Sequence, residues 1–199
     1  MILRNRATMT KHGMTLVELL ITLVMILILM GTFVWMIVWV KSAYQSSVTH
    51  TRLRQELQIS FSTMAADMMN SSYSTLTDAT SQSTKAFSFL SAADLNGVFS
   101  TDGNGSPVWK KYVIYYVPGG SRKLLRKEVY GSFTAALSTT DLNAYCDGKG
   151  KHISSSLSQM TCTPDSASKS CVISITLEST NYNGKTDSQS RDLRVFFRN

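Results

Sequence analysis

Three prolines and eleven glycines are few for 199 residues. That scarcity excludes a collagen-like repeat and a proline-rich polymer. The three histidines, His12, His50 and His152, stand far apart, and no two have the helical spacing of a metal site. Cysteine is equally sparse, at 146, 162 and 171, in a spacing that matches no zinc motif. Acidic residues number 13 against 20 basic ones, for a net charge of +7. The surplus is not gathered into a basic stripe interleaved with aromatic residues, so no nucleic-acid partner is expected. The first thirteen residues lack acid altogether, while Arg4, Arg6 and Lys11 give them +3. From Leu19 to Val40, 22 residues pass without any charge.

What is present is sharply segregated. Between Met14 and Val40, 22 of 27 residues are apolar. Beyond Lys41 the composition becomes that of a soluble domain. A 22-residue helix is about 33 Å long and spans a hydrocarbon core of about 30 Å. Trp35, Trp39 and Lys41 follow the pattern of interfacial anchors. The basic cluster ahead of the run predicts a cytoplasmic amino terminus, with the remainder outside the cytoplasm. A secretory signal peptide fits poorly. Its apolar core is shorter and ends in a small-x-small site, whereas this run ends in Trp-Val-Lys-Ser-Ala-Tyr. Glu18 sits at the head of the run. A carboxylate there is either solvated at the interface or awaits a positive partner, because a charge deeper in a membrane costs about 2.5–3.5 kcal/mol on insertion scales.

The helical pattern continues past Lys41. Leu53, Leu57, Phe61, Met64 and Met68 recur at steps of four, four, three and four, which places them on one face. No proline precedes Pro107, and Gly31 is the one glycine between Met14 and Gly97. One helix over about residues 14–70 is predicted, apolar all round in its first half and amphipathic in its second. The stripe is expected to dock a sheet. Residues 71–84 contain nine serines or threonines and read as a solvated connector. Strands are expected at 86–90, 109–117, 123–130, 171–177 and 192–197. The second and third form a hairpin around Pro118-Gly119-Gly120. The fold class is therefore α+β, a long amino-terminal helix packed on a mainly antiparallel sheet.

No catalytic constellation emerges, so neither an enzyme nor a cofactor is expected. Gly148-Lys149-Gly150-Lys151 lacks the preceding strand and the glycine spacing of a phosphate loop. Asp141, Asn143 and Asp147 carry oxygens suited to calcium but not the ordered spacing of an EF-hand. They read as a polar loop, and no metal is assigned. Outside the cytoplasm, a Cys162–Cys171 bridge closing the 163–170 loop is the first expectation. A Cys146–Cys162 bridge, or three reduced thiols, are the alternatives.

The segment Lys11-His12-Gly13-Met14-Thr15-Leu16-Val17-Glu18-Leu19-Leu20 resembles the class III signal of type IV pilins and type II secretion pseudopilins. The resemblance implies a leader over 1–13, cut by a membrane prepilin peptidase between Gly13 and Met14, with N-methylation of Met14. It implies a membrane and filament-core half over 14–40, an amphipathic half over 41–70 and an extracytoplasmic β-rich domain over 71–199. It further implies that Glu18 sets axial register in a filament by meeting the terminal ammonium of a neighbouring subunit. The implied partners are the peptidase, other pilin or pseudopilin subunits, an inner-membrane assembly platform and the membrane itself. The hairpin Tyr-Tyr-Val-Pro-Gly-Gly and the ending Val195-Phe196-Phe197-Arg198-Asn199 look like the J-type minor pseudopilin or the related W-type minor pilin. A single-pass anchored binding or sensor domain is the competing expectation.

Overall fold

The computed structural model describes residues 15–80, 85–94, 96–180 and 184–197. Contacts divide the chain into two compact units, Met1–Gln45 and Ser46–Asn199. Helix α1 covers Leu16–Met68. In the first unit every described apolar residue from Leu16 to Val40 is exposed. Among the described residues, α1 is the one helix long and apolar enough to cross a membrane.

In the second unit, the predicted stripe is buried. Leu53, Leu57, Phe61, Met64 and Met68 all enter one core. Each such side chain contributes about 1.5–3 kcal/mol by leaving water. Ser60 is buried among them without penalty, because its hydroxyl donates to the Glu56 carbonyl at 2.7 Å. The helix ends where Asn70 and Ser71 N–H groups donate to Asp67 and Met68 carbonyls, a tightened last turn.

Among the described residues, eight strands form two antiparallel meanders. The first sheet contains β1 (Thr77–Asp78), β2 (Ala86–Ser91), β3 (Lys111–Tyr116), β4 (Leu124–Tyr130) and β5 (Lys151–Ser154), in sequential order. The second contains β6 (Leu157–Asp165), β7 (Ser170–Thr180) and β8 (Thr186–Phe196). A short helix, α2 (Thr139–Tyr145), precedes β5. The fold is α+β, as the sequence predicts.

β2 and β3 are buried at every position. Successive side chains leave a strand on opposite faces, so a strand buried throughout must serve two cores. Phe87, Phe89, Val113 and Tyr115 join the stripe of α1, and both phenylalanine rings stack on Tyr115. Ala86, Leu90, Tyr112, Ile114 and Tyr116 join a second core with Leu142 of α2. The three layers of this unit are therefore α1, sheet and α2. The core of α1 extends over the inner face of the second sheet through Met160, Ile173, Ile175 and Leu177.

Several sequence expectations are adjusted. The 71–84 connector is more ordered than its composition suggests. It holds a 3-10 turn at Tyr73–Thr75 and strand β1, and the Ser71 and Thr75 hydroxyls are bonded to each other at 3.1 Å in a buried site. Its residues 81–84 lie outside the described set. β8 begins six residues before the expected 192, because its first half alternates polar residues that give no hydrophobic signal. His152 lies on β5. Gly150, just before β5, approaches β4 so closely that a Cβ would stand 2.9 Å from the Arg126 carbonyl oxygen.

Candidate functional site

The head of α1 is built by two residues. The Thr15 N–H donates to Glu18 Oε2 at 2.9 Å, and the Thr15 hydroxyl donates to the same oxygen at 3.1 Å. In return, the Glu18 N–H points at Thr15 Oγ1, 3.3 Å away. This reciprocal arrangement is a capping box. It satisfies amide donors that a helix start leaves without partners. A carboxylate in the first turn also meets the positive end of the helix dipole. Glu18 is thus a locally held carboxylate at the exposed head of the apolar run. Thr-x-x-Glu before an apolar run is the sequence signature of such a cap, so Thr15 belongs to the site with Glu18. Gly13 and Met14, the expected processing residues, lie outside the described residues.

Beyond Glu18, the described apolar side chains of the first unit are exposed. Leu19, Leu27, Phe33, Trp35 and Trp39 are each more than half exposed. Thr22 and Thr32 interrupt the composition but not the surface. Their hydroxyls donate at 2.8 Å to the carbonyls of Leu19 and Leu29, which removes the need for water.

The second unit carries a chain of charges between α1 and the first sheet. Asp67 accepts Arg126 Nε and Nη2 at 2.6 and 2.8 Å, and the Tyr115 hydroxyl donates to it at 2.6 Å. Arg126 Nη2 also reaches Glu128 Oε1 at 2.6 Å, where Lys111 Nζ arrives at 2.7 Å. Tyr130 donates to the other Glu128 oxygen at 2.7 Å. Burial alone would push the Glu128 carboxyl up. Hydrogen bonds from Lys111 and Tyr130, with the charges of Arg126 and Lys111, overcome it and hold the group at about 2. Burial, followed by the Asp67 charge and hydrogen bond, drives the Tyr115 phenol well above its usual range. The arrangement ties the end of α1 to the first sheet as a clamp. Asp67 and Arg126 stand 59 residues apart in sequence.

At the other end of the amphipathic half, His50 Nε2 lies 3.5 Å from Asp187 Oδ1, and its Nδ1 lies 3.2 Å from Gln189 Nε2. Ser46 donates to Asp187 Oδ2 at 3.4 Å. Ser46, His50 and Asp187 do not form a nucleophile–base relay, because the serine hydroxyl bonds the carboxylate and not the imidazole.

Two of the residues considered for calcium have partners of their own. Asp141 accepts the Ser138 hydroxyl at the start of α2, and Asp147 pairs with Lys127 at 2.9 Å. Among the described residues no group of three or more His, Cys, Asp or Glu could hold a metal ion.

The cysteines are separated by layer. Cys162 on β6 and Cys171 on β7 are buried in the core of α1, with their Sγ atoms 2.8 Å apart. Cys146, at the end of α2, packs against the second core, and its thiol donates to the Leu142 carbonyl at 3.3 Å.

No family model matches this sequence, and no curated protein or solved structure is significantly similar to it.

Proposed function

We propose that the chain is a minor pilin or pseudopilin, a structural subunit assembled near the tip of a type II secretion pseudopilus or a type IV pilus. The observation that carries this reading is the exposed apolar surface of α1 with Glu18 capped at its head. Such a surface needs either lipid or neighbouring helices to cover it. A filament subunit needs both in turn. It waits in the inner membrane as a single-pass precursor, amino terminus in the cytoplasm and β-rich domain outside, and then exchanges lipid for the helices of its neighbours.

In this reading, cleavage between Gly13 and Met14 frees an ammonium next to the Thr15–Glu18 cap. Methylation leaves it charged. Glu18 then has a positive group to meet, the terminal ammonium of a neighbouring subunit. Opposite charges in a low-dielectric bundle attract strongly, and a mispaired one is penalised, which selects one axial register. The work of assembly falls to other components, among them the prepilin peptidase, an inner-membrane platform and fellow subunits.

The test is the mature amino terminus of the membrane-extracted protein, read by mass spectrometry in cells with and without prepilin peptidase. The expected peptide begins with N-methylated Met14 and disappears without the peptidase. A chain that still begins at Met1 in both overturns the reading in favour of a membrane-anchored binding or sensor domain.

A further inference from the structure

β6 and β7 are neighbours in the second sheet, joined by a tight turn over residues 166–169. Their register pairs Cys162 with Ile173 and Pro164 with Cys171. Cys162 and Cys171 therefore project from the same face, one diagonal step apart. The twist of paired strands draws one diagonal of such a ladder together, and these two thiols lie on it with sulfur atoms in direct contact at 2.8 Å. Cys171 has no exposed surface and Cys162 almost none.

The third cysteine is held apart from this pair. Cys146 packs with Leu142 and Tyr145 against the core under α2, whereas Cys162 and Cys171 belong to the core under α1. The first sheet separates those two cores. A bridge from Cys146 to either of the other two would have to pass through it.

We infer that Cys162 and Cys171 are joined by a disulfide that forms before the β6–β7 hairpin closes on α1 and is then sealed from solvent, leaving Cys146 as the free thiol. The order of events follows from reactivity. A thiol must ionise to attack a disulfide. In the folded core, contact with Cys171 and burial push the Cys162 thiol far above its usual range. Neither sulfur can then be reached from solvent. In the open hairpin both are accessible, and the turn already holds them near each other.

The step consumes a second disulfide, carried by a protein or a small-molecule oxidant. One cysteine thiolate attacks a sulfur of that donor, and the donor's other sulfur leaves as a thiolate that takes up a proton. The second cysteine then loses its proton and displaces the donor from the mixed disulfide. Two protons and two electrons have left the cysteines, and the donor has become two thiols. An oxidising compartment supplies such donors. Burial of the finished bridge leaves a reductant no path to it until the domain opens.

The inference is tested on the full-length chain, alkylated with N-ethylmaleimide in intact cells and extracted from membranes in detergent. After denaturation without reductant, digestion is expected to give one linked pair of peptides containing Cys162 and Cys171. Cys146 is expected to carry the alkyl group or a free thiol. Dithiothreitol is expected to cut the bridge slowly in the native protein and at least tenfold faster in denaturant. Reduction under denaturing conditions and refolding with blocked thiols is expected to lower the unfolding midpoint by several degrees. Alkylation of both Cys162 and Cys171 before any reduction overturns the inference, as does a bridge that includes Cys146. Equal reduction rates in native and denatured protein overturn the sealing. None of these outcomes bears on where the mature chain begins, so this inference and the filament reading fail separately.

Discussion

Asp67 in the last turn of α1 and Arg126 in the middle of β4 are joined by two parallel hydrogen bonds of 2.6 and 2.8 Å. Both side chains are largely withdrawn from water, at 16% and 14% exposure. The pair fixes the end of the helix to one strand, and through Glu128 and Lys111 to the next.

Arg126→Ala leaves the Asp67 carboxylate buried without its cation. It is expected to destabilise the domain by about 3–5 kcal/mol, the usual penalty of an orphaned buried charge. Replacing both partners, as Asp67→Leu with Arg126→Met, is expected to cost far less. Denaturant unfolding of the detergent-solubilised chain, followed by tyrosine fluorescence, compares the two. Equal losses would mean that the pair contributes packing and not charge compensation.

Glu128 makes stability depend on acid. Its folded-state group titrates at about 2, below the 4.5 of an unperturbed glutamate. A depressed carboxylate contributes fully above the unfolded value and loses that contribution as pH falls through the folded value. Unfolding midpoints are therefore expected to decline between about pH 4.5 and 2. Glu128→Gln is expected to be less stable at pH 7 and flatter across that window. A mutant that keeps the wild-type slope would assign the acid sensitivity to other carboxylates.

Met64 and Ile59 are near neighbours on α1 with opposite environments. Met64 is fully buried, whereas Ile59 is 56% exposed. Met64→Ala is expected to cost about 2–5 kcal/mol through the cavity it leaves. Ile59→Ala is expected to stay within about 0.5 kcal/mol, as surface changes do. The same denaturant titration reads both. A large loss at Ile59 in the isolated chain would contradict the orientation of the helix.

Glu18 separates stability from assembly under the proposed function. Glu18→Leu is expected to leave the β-rich domain and membrane insertion intact while lowering recovery in sheared filament fractions at least tenfold. Glu18→Gln keeps a hydrogen-bond acceptor for Thr15 and removes the charge. Wild-type recovery for both variants would remove the register role.

Much of the architecture was legible in the sequence because periodic burial writes it there. The steps of the stripe at 53, 57, 61, 64 and 68 gave the docked face of α1, and the dense run Tyr112–Val117 gave β3. β6 was missed because Ser158, Gln159, Thr161, Thr163 and Pro164 dilute its inward residues Met160 and Cys162. α2 has seven residues, two turns of helix, too few to show a period. At the candidate site, Glu18 could be named because it is the one charged residue between Met14 and Val40. The bond between Asp67 and Arg126 could not, since no local rule links residues so distant in sequence.

β3 is the strand through which both cores are built, its odd-numbered residues feeding one and its even-numbered residues the other. Its pairing with β2 and β4 has no tolerance for a frameshift in three dimensions. A slip of one residue would move Val113 and Tyr115 under α2 and Ile114 and Tyr116 under α1, spoiling two interiors at once. Peptide tags inserted between residues 111 and 116 would meet that penalty. The exposed turn at 102–106, where Asp102 Oδ1 takes the N–H groups of Asn104 and Ser106, bears on neither interior and offers the natural place to graft one.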